Sequence, residues 1–151
     1  MSYHSWTVDG FGFCVDDIPY DTLTIEKILN LASMNEKLFK NVREYLDEIC
    51  KEEDITYDDL TIDDLDELEG DYGDRGLTHI LLNVIKDIHV MFTDDYEGVP
   101  YILYAPKYPW GMSEEEKSYT KEDVIAVFEK YIKILTDVPV QFDYYCVENG
   151  G

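Results

Sequence analysis

The stretch Ser5-Trp6-Thr7-Val8-Asp9-Gly10-Phe11-Gly12-Phe13-Cys14-Val15 decides the fold class. Trp6 and Val8, then Phe11, Phe13 and Val15, fall on alternate positions, which is the two-residue period of a strand with one face buried. The alternation changes register around Gly10 and Gly12, so the segment contains a glycine break or bulge, and one bent strand or a tight hairpin both satisfy it. An aromatic strand of this kind needs a sheet and a cover, and the rest of the chain supplies both.

Asp16, Asp17 and Pro19 end the extended segment, and Thr24 opens a short helical pattern through Ile25, Ile28, Leu29 and Ala32. Leu38, Val42, Tyr45, Leu46 and Ile49 recur at spacings of three and four, with Glu36, Lys37, Lys40, Arg43, Glu44, Asp47 and Lys51 between them, which predicts a longer amphipathic helix. Thr61 with Asp64 three residues later caps a further short helix carrying Ile62, Leu65 and Leu68, ended in a loop by Gly70, Gly73 and Gly76. Residues 77–85 are helical in pattern. The run Ile88, His89, Val90, Met91, Phe92 reads as a buried strand, with His89 partly buried in it. With turn chemistry at 94–98 and a strand at 100–104, residues 88–104 form an antiparallel hairpin. Residues 105–112, with Pro106, Tyr108, Pro109 and Trp110, read as a tight loop. Thr120 and Asp123 open a strong helix through Val124, Val127, Phe128, Tyr131, Ile132 and Leu135. After Pro139 the last strand alternates Val140, Phe142, Tyr144 and Cys146 against Gln141, Asp143, Tyr145 and Val147, one set lying deeper than the other.

This order predicts a single α+β domain, residues 1–151, with an antiparallel sheet of about four strands and helices packed on one side. No internal repeat, low-complexity segment or dividing linker is read along the chain.

The 151 residues hold 12 basic and 34 acidic side chains, a formal net charge of −22 at pH 7. A small soluble domain is well served by a magnitude of about 2 to 8. Such an excess excludes direct grip on nucleic acid or an anionic membrane, both of which require clustered Lys and Arg. Cys14, Cys50 and Cys146 form no CxxC pair, so the sequence indicates neither a disulfide framework nor a zinc knuckle. The start of the chain shows no export signal and no apolar run spans a bilayer, so a cytoplasmic location is expected.

The charge is concentrated. Fifteen acids lie between residues 44 and 74, with Lys51 as the one base among them. Carboxylates four residues apart on a helix are separated by roughly 6 Å along its axis, a scale comparable to the phosphates of a DNA strand. Glu44, Asp47, Glu48 and Glu52 on the long helix, then Asp58, Asp59, Asp63, Asp64, Asp66 and Glu67, are therefore the candidate partner-binding residues, and Trp110 is a candidate apolar anchor beside them. The same segment also reads as a solvated face that keeps the chain soluble. It does not fit a calcium-binding loop, since counting back from Gly70 or Gly73 places Leu65 or Leu68 where the first ligand must be.

Catalytic signatures are missing. No Cys or Ser sits in a recognised pattern beside His4, His79 or His89, no glycine-rich phosphate loop occurs, and the sequence assigns no catalytic residue, metal or cofactor. The expected function is an acidic protein-binding inhibitor. It acts as a nucleic-acid mimic that blocks the basic nucleic-acid-binding surface of a nuclease or effector, as phages and mobile elements carry against host defence, for example an anti-CRISPR. An immunity-type protein neutralising a basic toxin shares this physics. A small enzyme or divalent-cation module is the other alternative, and a deep pocket with convergent polar groups would mark it.

Overall fold

β1 (Ser5–Cys14) is the strand on which the sheet is built, and it is one continuous strand whose pairing runs through Gly10 and Gly12 in unbroken register, without the break or bulge expected there. The computed structural model of the chain describes residues 5–71, 73–104 and 119–150. β1 is followed by α1 (Ile25–Ala32), α2 (Glu36–Glu53), α3 (Gly76–Val84), β2 (Val90–Asp94), β3 (Pro100–Tyr104), α4 (Lys121–Leu135) and β4 (Asp143–Gly150). The four strands pair antiparallel in the order β2-β3-β1-β4, and the helices pack on the sheet to give an α+β fold.

Phe11 and Phe13 point from β1 to the helices. Phe13 is fully buried, its ring 5.2 Å from Phe128 on α4 and 5.9 Å from Phe142, and Phe128 and Phe142 stack. Face and edge contacts of this kind add to the area burial of three large rings. α1 sits centrally in the helical layer, touching α2, α3 and α4, so one continuous core runs from the sheet to Leu38, Val42 and Leu46 of α2.

The opposite sheet face explains the glycines. Tyr101 on β3 and Tyr145 on β4 flank β1, and a flat sheet would separate their strands by about 10 Å. Their ring centroids are 5.1 Å apart, so the sheet curls on this face over Gly10 and Gly12. The two edge strands approach in consequence: Tyr96, in the β2–β3 turn, donates its phenol to Glu148 on β4 at 3.1 Å. Leu103, Val147, Thr93 and Cys14 are buried on the concave side.

Several expectations are corrected. In the last strand Val140 and Phe142 precede β4 and join the helical core, whereas Tyr144 and Cys146 are exposed and Val147 is buried. Within β4 the deeper set is thus the one that holds Tyr145 and Val147. His89 is exposed and precedes β2, so the hairpin begins at Val90. Gly76 does not belong to a terminating loop but begins α3 with φ +54. The loop at 105–112, including Trp110, lies outside the described residues.

Contrary to the expectation of no internal repeat, the acidic segment contains a short tandem one: Thr56-Tyr57-Asp58-Asp59-Leu60 followed by Thr61-Ile62-Asp63-Asp64-Leu65. Each copy makes a 3-10 turn, Tyr57–Asp59 and Ile62–Leu65, in place of the single short helix expected. The third-position aspartate of each turn reaches back to the backbone N–H of its threonine, Asp59 to Thr56 at 3.2 Å and Asp64 to Thr61 at 2.7 Å. Leu60 and Leu65 are buried. Asp64→Ala is therefore expected to lower stability by about 1 kcal/mol in urea unfolding, the usual scale of a lost cap. Asp58→Ala, which removes the same charge and no cap, leaves it unchanged or higher.

Candidate acidic interface

α2 is capped by Asn35, whose Oδ1 accepts from the Leu38 N–H at 3.2 Å, and it ends where Asp54 adopts the left-handed conformation at φ 53. Its buried stripe fixes which side faces solvent. Glu44, Glu48 and Glu52 repeat every four residues and form one exposed stripe, while Asp47, one position earlier than Glu48, is rotated about 100° from it. Lys37, Lys40, Arg43 and Lys51 share the exposed surface of this helix. α2 by itself is thus a mixed-charge helix and not the acidic rod that its glutamates suggest.

The carboxylates gather instead where the two 3-10 turns pack beside α2. Burial pushes the Cys50 thiol up, and the charges of Asp47, Asp59, Asp64 and Glu53 push it further. Burial likewise raises the Tyr45 phenol, reinforced by Glu67, Asp64 and Asp66. Asp64 is felt at both side chains, Asp47, Asp59 and Glu53 at Cys50, and Asp66 and Glu67 at Tyr45, so these acids lie around the part of α2 on which the turns pack. Asp58 and Asp63 are exposed on the same two turns. Glu44, Glu48 and Glu52 lie on their own exposed stripe of α2.

Tyrosines hold several of these acids in place. The Tyr57 phenol donates to Asp47 at 2.5 Å and is pushed up to about 12 by burial and by that bond, while Arg43 lies over its ring at 4.8 Å. The Tyr20 phenol donates to Asp63 at 2.7 Å; this bond is the largest cause of its raised pKa. Tyr20, Tyr45, Tyr57 and Glu53 were not read as site residues from sequence; the repeat, which places Tyr57 beside the acids, is the signal that could have found Tyr57. None of the gathered carboxylates forms an ion pair with a described Lys, Arg or His. The ion pairs among the described residues lie elsewhere: Arg75–Glu69, His79–Asp74, Lys130–Asp87 and Lys133–Glu129. No group of three His, Cys, Asp or Glu able to hold a metal ion occurs among the described residues.

A second polar centre lies at α3. Asp74, 1% exposed, accepts from Nδ1 of half-buried His79 at 2.8 Å. Gly70 packs against the pair so closely that a Cβ there would stand 2.3 Å from Asp74 Oδ2. His79 lines a groove of about 960 Å³ between α3, the 68–74 segment and β2. Asp87 at its far end is pushed up by burial, but hydrogen bonds from Tyr131 and Lys130 and the Lys130 charge outweigh this and leave it below the usual carboxylate range. No Ser, Thr or Cys is among the described residues lining the groove.

No family model, no curated protein and no solved structure matches this chain. Among the described residues no helix is long and apolar enough to cross a membrane.

Proposed function

We propose that this protein is an acidic inhibitor that occupies the basic, nucleic-acid-binding surface of another protein, acting as a nucleic-acid mimic. The observation that carries this reading is the gathering of Asp47, Glu53, Asp59, Asp64, Asp66 and Glu67 where the two 3-10 turns pack beside α2, none of them in an ion pair with a described Lys, Arg or His. Concentrated negative potential steers a basic partner to that surface and raises its association rate. The caps and tyrosine bonds hold Asp47, Asp59, Asp63 and Asp64 before binding, which reduces the ordering entropy that association costs. The target class is a nuclease or effector of the kind that phages and mobile elements oppose, and a cytoplasmic setting follows from that target.

The test is a pull-down from the source cell with the full chain as bait, at about 50 mM and about 500 mM salt, with duplex DNA as competitor. Capture of a nucleic-acid-binding protein that both salt and DNA displace is the expected result. A captured basic protein that DNA fails to displace shifts the reading to an immunity-type inhibitor. Capture that is indifferent to salt overturns both.

A further inference from the structure

Mimicry of nucleic acid accounts for the carboxylates but not for the bases beside them. Lys37, Lys40 and Arg43 stand at intervals of three along the first half of α2, and all are exposed. Three residues spaced in this way cover about 9 Å of the helix axis and about 120° of its circumference. Glu36 and Glu44 lie four residues from Lys40, the spacing of a helical ion pair, yet none of the three bases forms an ion pair with a described residue. In a chain of net charge −22, the stretch from Glu36 to Glu44 holds three bases against two acids and is positive. Cations at the border of an anionic interface weaken its pull on a target that is basic throughout.

This row is fixed relative to the acids. Arg43 lies over the Tyr57 ring at 4.8 Å, and the Tyr57 phenol donates to Asp47, one helical turn beyond Arg43. One side chain therefore sets the boundary between positive and negative surface. The complement of such a surface is a basic groove with carboxylates at its border. Enzymes that cut nucleic acid with metal ions have that arrangement: Lys and Arg hold the phosphate chain, while Asp and Glu hold the divalent cation that acts on the scissile phosphate.

We propose, resting on the reading of the acidic surface as a nucleic-acid mimic, that the target is a metal-dependent nuclease gripped across its active centre. The carboxylates of the two turns occupy its nucleic-acid groove, and Lys37, Lys40 and Arg43 meet the carboxylates that hold its divalent cation. The three bases then supply the positive charge that the metal otherwise brings, so the inhibitor and the cation compete.

The affinity of the purified captured protein is measured for the full chain, for Lys37→Gln/Lys40→Gln, and for the chain with Asp58→Asn, Asp63→Asn, Asp66→Asn and Glu67→Gln. Both lysines are exposed and glutamine matches lysine in helix propensity, so the fold is retained, and Arg43 stays in place over Tyr57. The lysine variant is expected to bind about 3- to 30-fold more weakly. Were the lysines only solvated, removing two positive charges from an acidic inhibitor would leave its affinity for a basic target equal or higher, and either result overturns the proposal. In a second arm, about 10 mM MgCl2 is compared with about 30 mM NaCl, which has the same ionic strength. Mg²⁺ is expected to weaken the full chain at least about 3-fold more than NaCl does and to leave the lysine variant nearly indifferent to the choice of salt. Equal sensitivity of the two would place the metal on the inhibitor's own acids and overturn the proposal, as would a captured protein without metal-dependent nuclease activity. Full affinity in the amide variant sinks the mimic reading itself, whereas loss there with none in the lysine variant sinks this inference alone.

Discussion

Gly12→Ala is expected to lose the native sheet, at a cost of at least about 4 kcal/mol, which places it among the rare single substitutions that unfold a domain of this size. A Cβ at Gly12 would stand 2.0 Å from the carbonyl oxygen of Ile102 and 2.8 Å from the Leu103 Cα. Both obstacles belong to the backbone of β3, which is hydrogen-bonded to β1 and has no rotamer by which to yield. The strand can relieve the contact only by uncurling, and that separates Tyr101 from Tyr145 and opens the concave side to water. Gly10→Ala is milder, because its Cβ meets the Tyr104 carbonyl at 2.9 Å and the flexible Leu103 side chain at 3.1 Å. Gly98→Ala meets nothing within 4 Å but sits at φ +81, so its cost is the ordinary one of a left-handed alanine, on the order of 1 kcal/mol. Urea unfolding followed by circular dichroism ranks the three. Equal stability of Gly12→Ala and Gly98→Ala would mean that the sheet does not curl as described.

The second large effect is on binding. Asp58→Asn, Asp63→Asn, Asp66→Asn and Glu67→Gln together remove four charges from the acidic surface while leaving the capping carboxylates Asp59 and Asp64 in place. The amide that replaces the Asp63 carboxylate retains an oxygen that can accept from Tyr20. With a few tenths to one kcal/mol for each exposed charge, the affinity for the captured partner is expected to fall roughly 5- to 1,000-fold at low salt, with a shallower dependence on salt. Stability moves the other way, since relieving like-charge repulsion in a chain of net charge −22 raises the midpoint of thermal unfolding. Opposite signs for binding and stability separate an interface from a merely solubilising face. Unchanged affinity in a folded variant would remove these residues from the interface.

The acidic segment is arranged differently in space than along the chain. Glu44, Asp47, Glu48 and Glu52 are adjacent in the chain and suggest one ridge, but the 100° step of the helix parts Asp47 from the glutamate stripe and interleaves both with lysines. Asp64, Asp66 and Glu67 lie sixteen or more residues from Glu48, yet they are the charges that reach α2 at Tyr45. Proximity along the chain and proximity in space diverge here because the two 3-10 turns fold back so that Leu60 and Leu65 can be buried.

His79 shows the same limit from the other side. In sequence it is a lone histidine on a helical pattern, with no carboxylate at the three- or four-residue spacing of a helix face. Asp74 precedes it by five residues and lies before α3 begins, so the pair forms only because Gly70 and Gly76 let the 68–76 segment turn tightly against the helix N-terminus.

The amino-acid sequence by itself determined the four α-helices and four strands, the α+β class and the helix caps at Thr24 and Thr120, because periodicity and capping are local properties of a few neighbouring residues. It also determined that the charge is concentrated. Only the tertiary structure decided that the sheet curls, that Val147 and not Cys146 is buried, that the acids of the two turns come to lie beside α2, and that Asp74 reaches His79. Each of these depends on contacts between residues far apart in the chain, set by how the aromatic core around Phe13 brings the sheet and helices together.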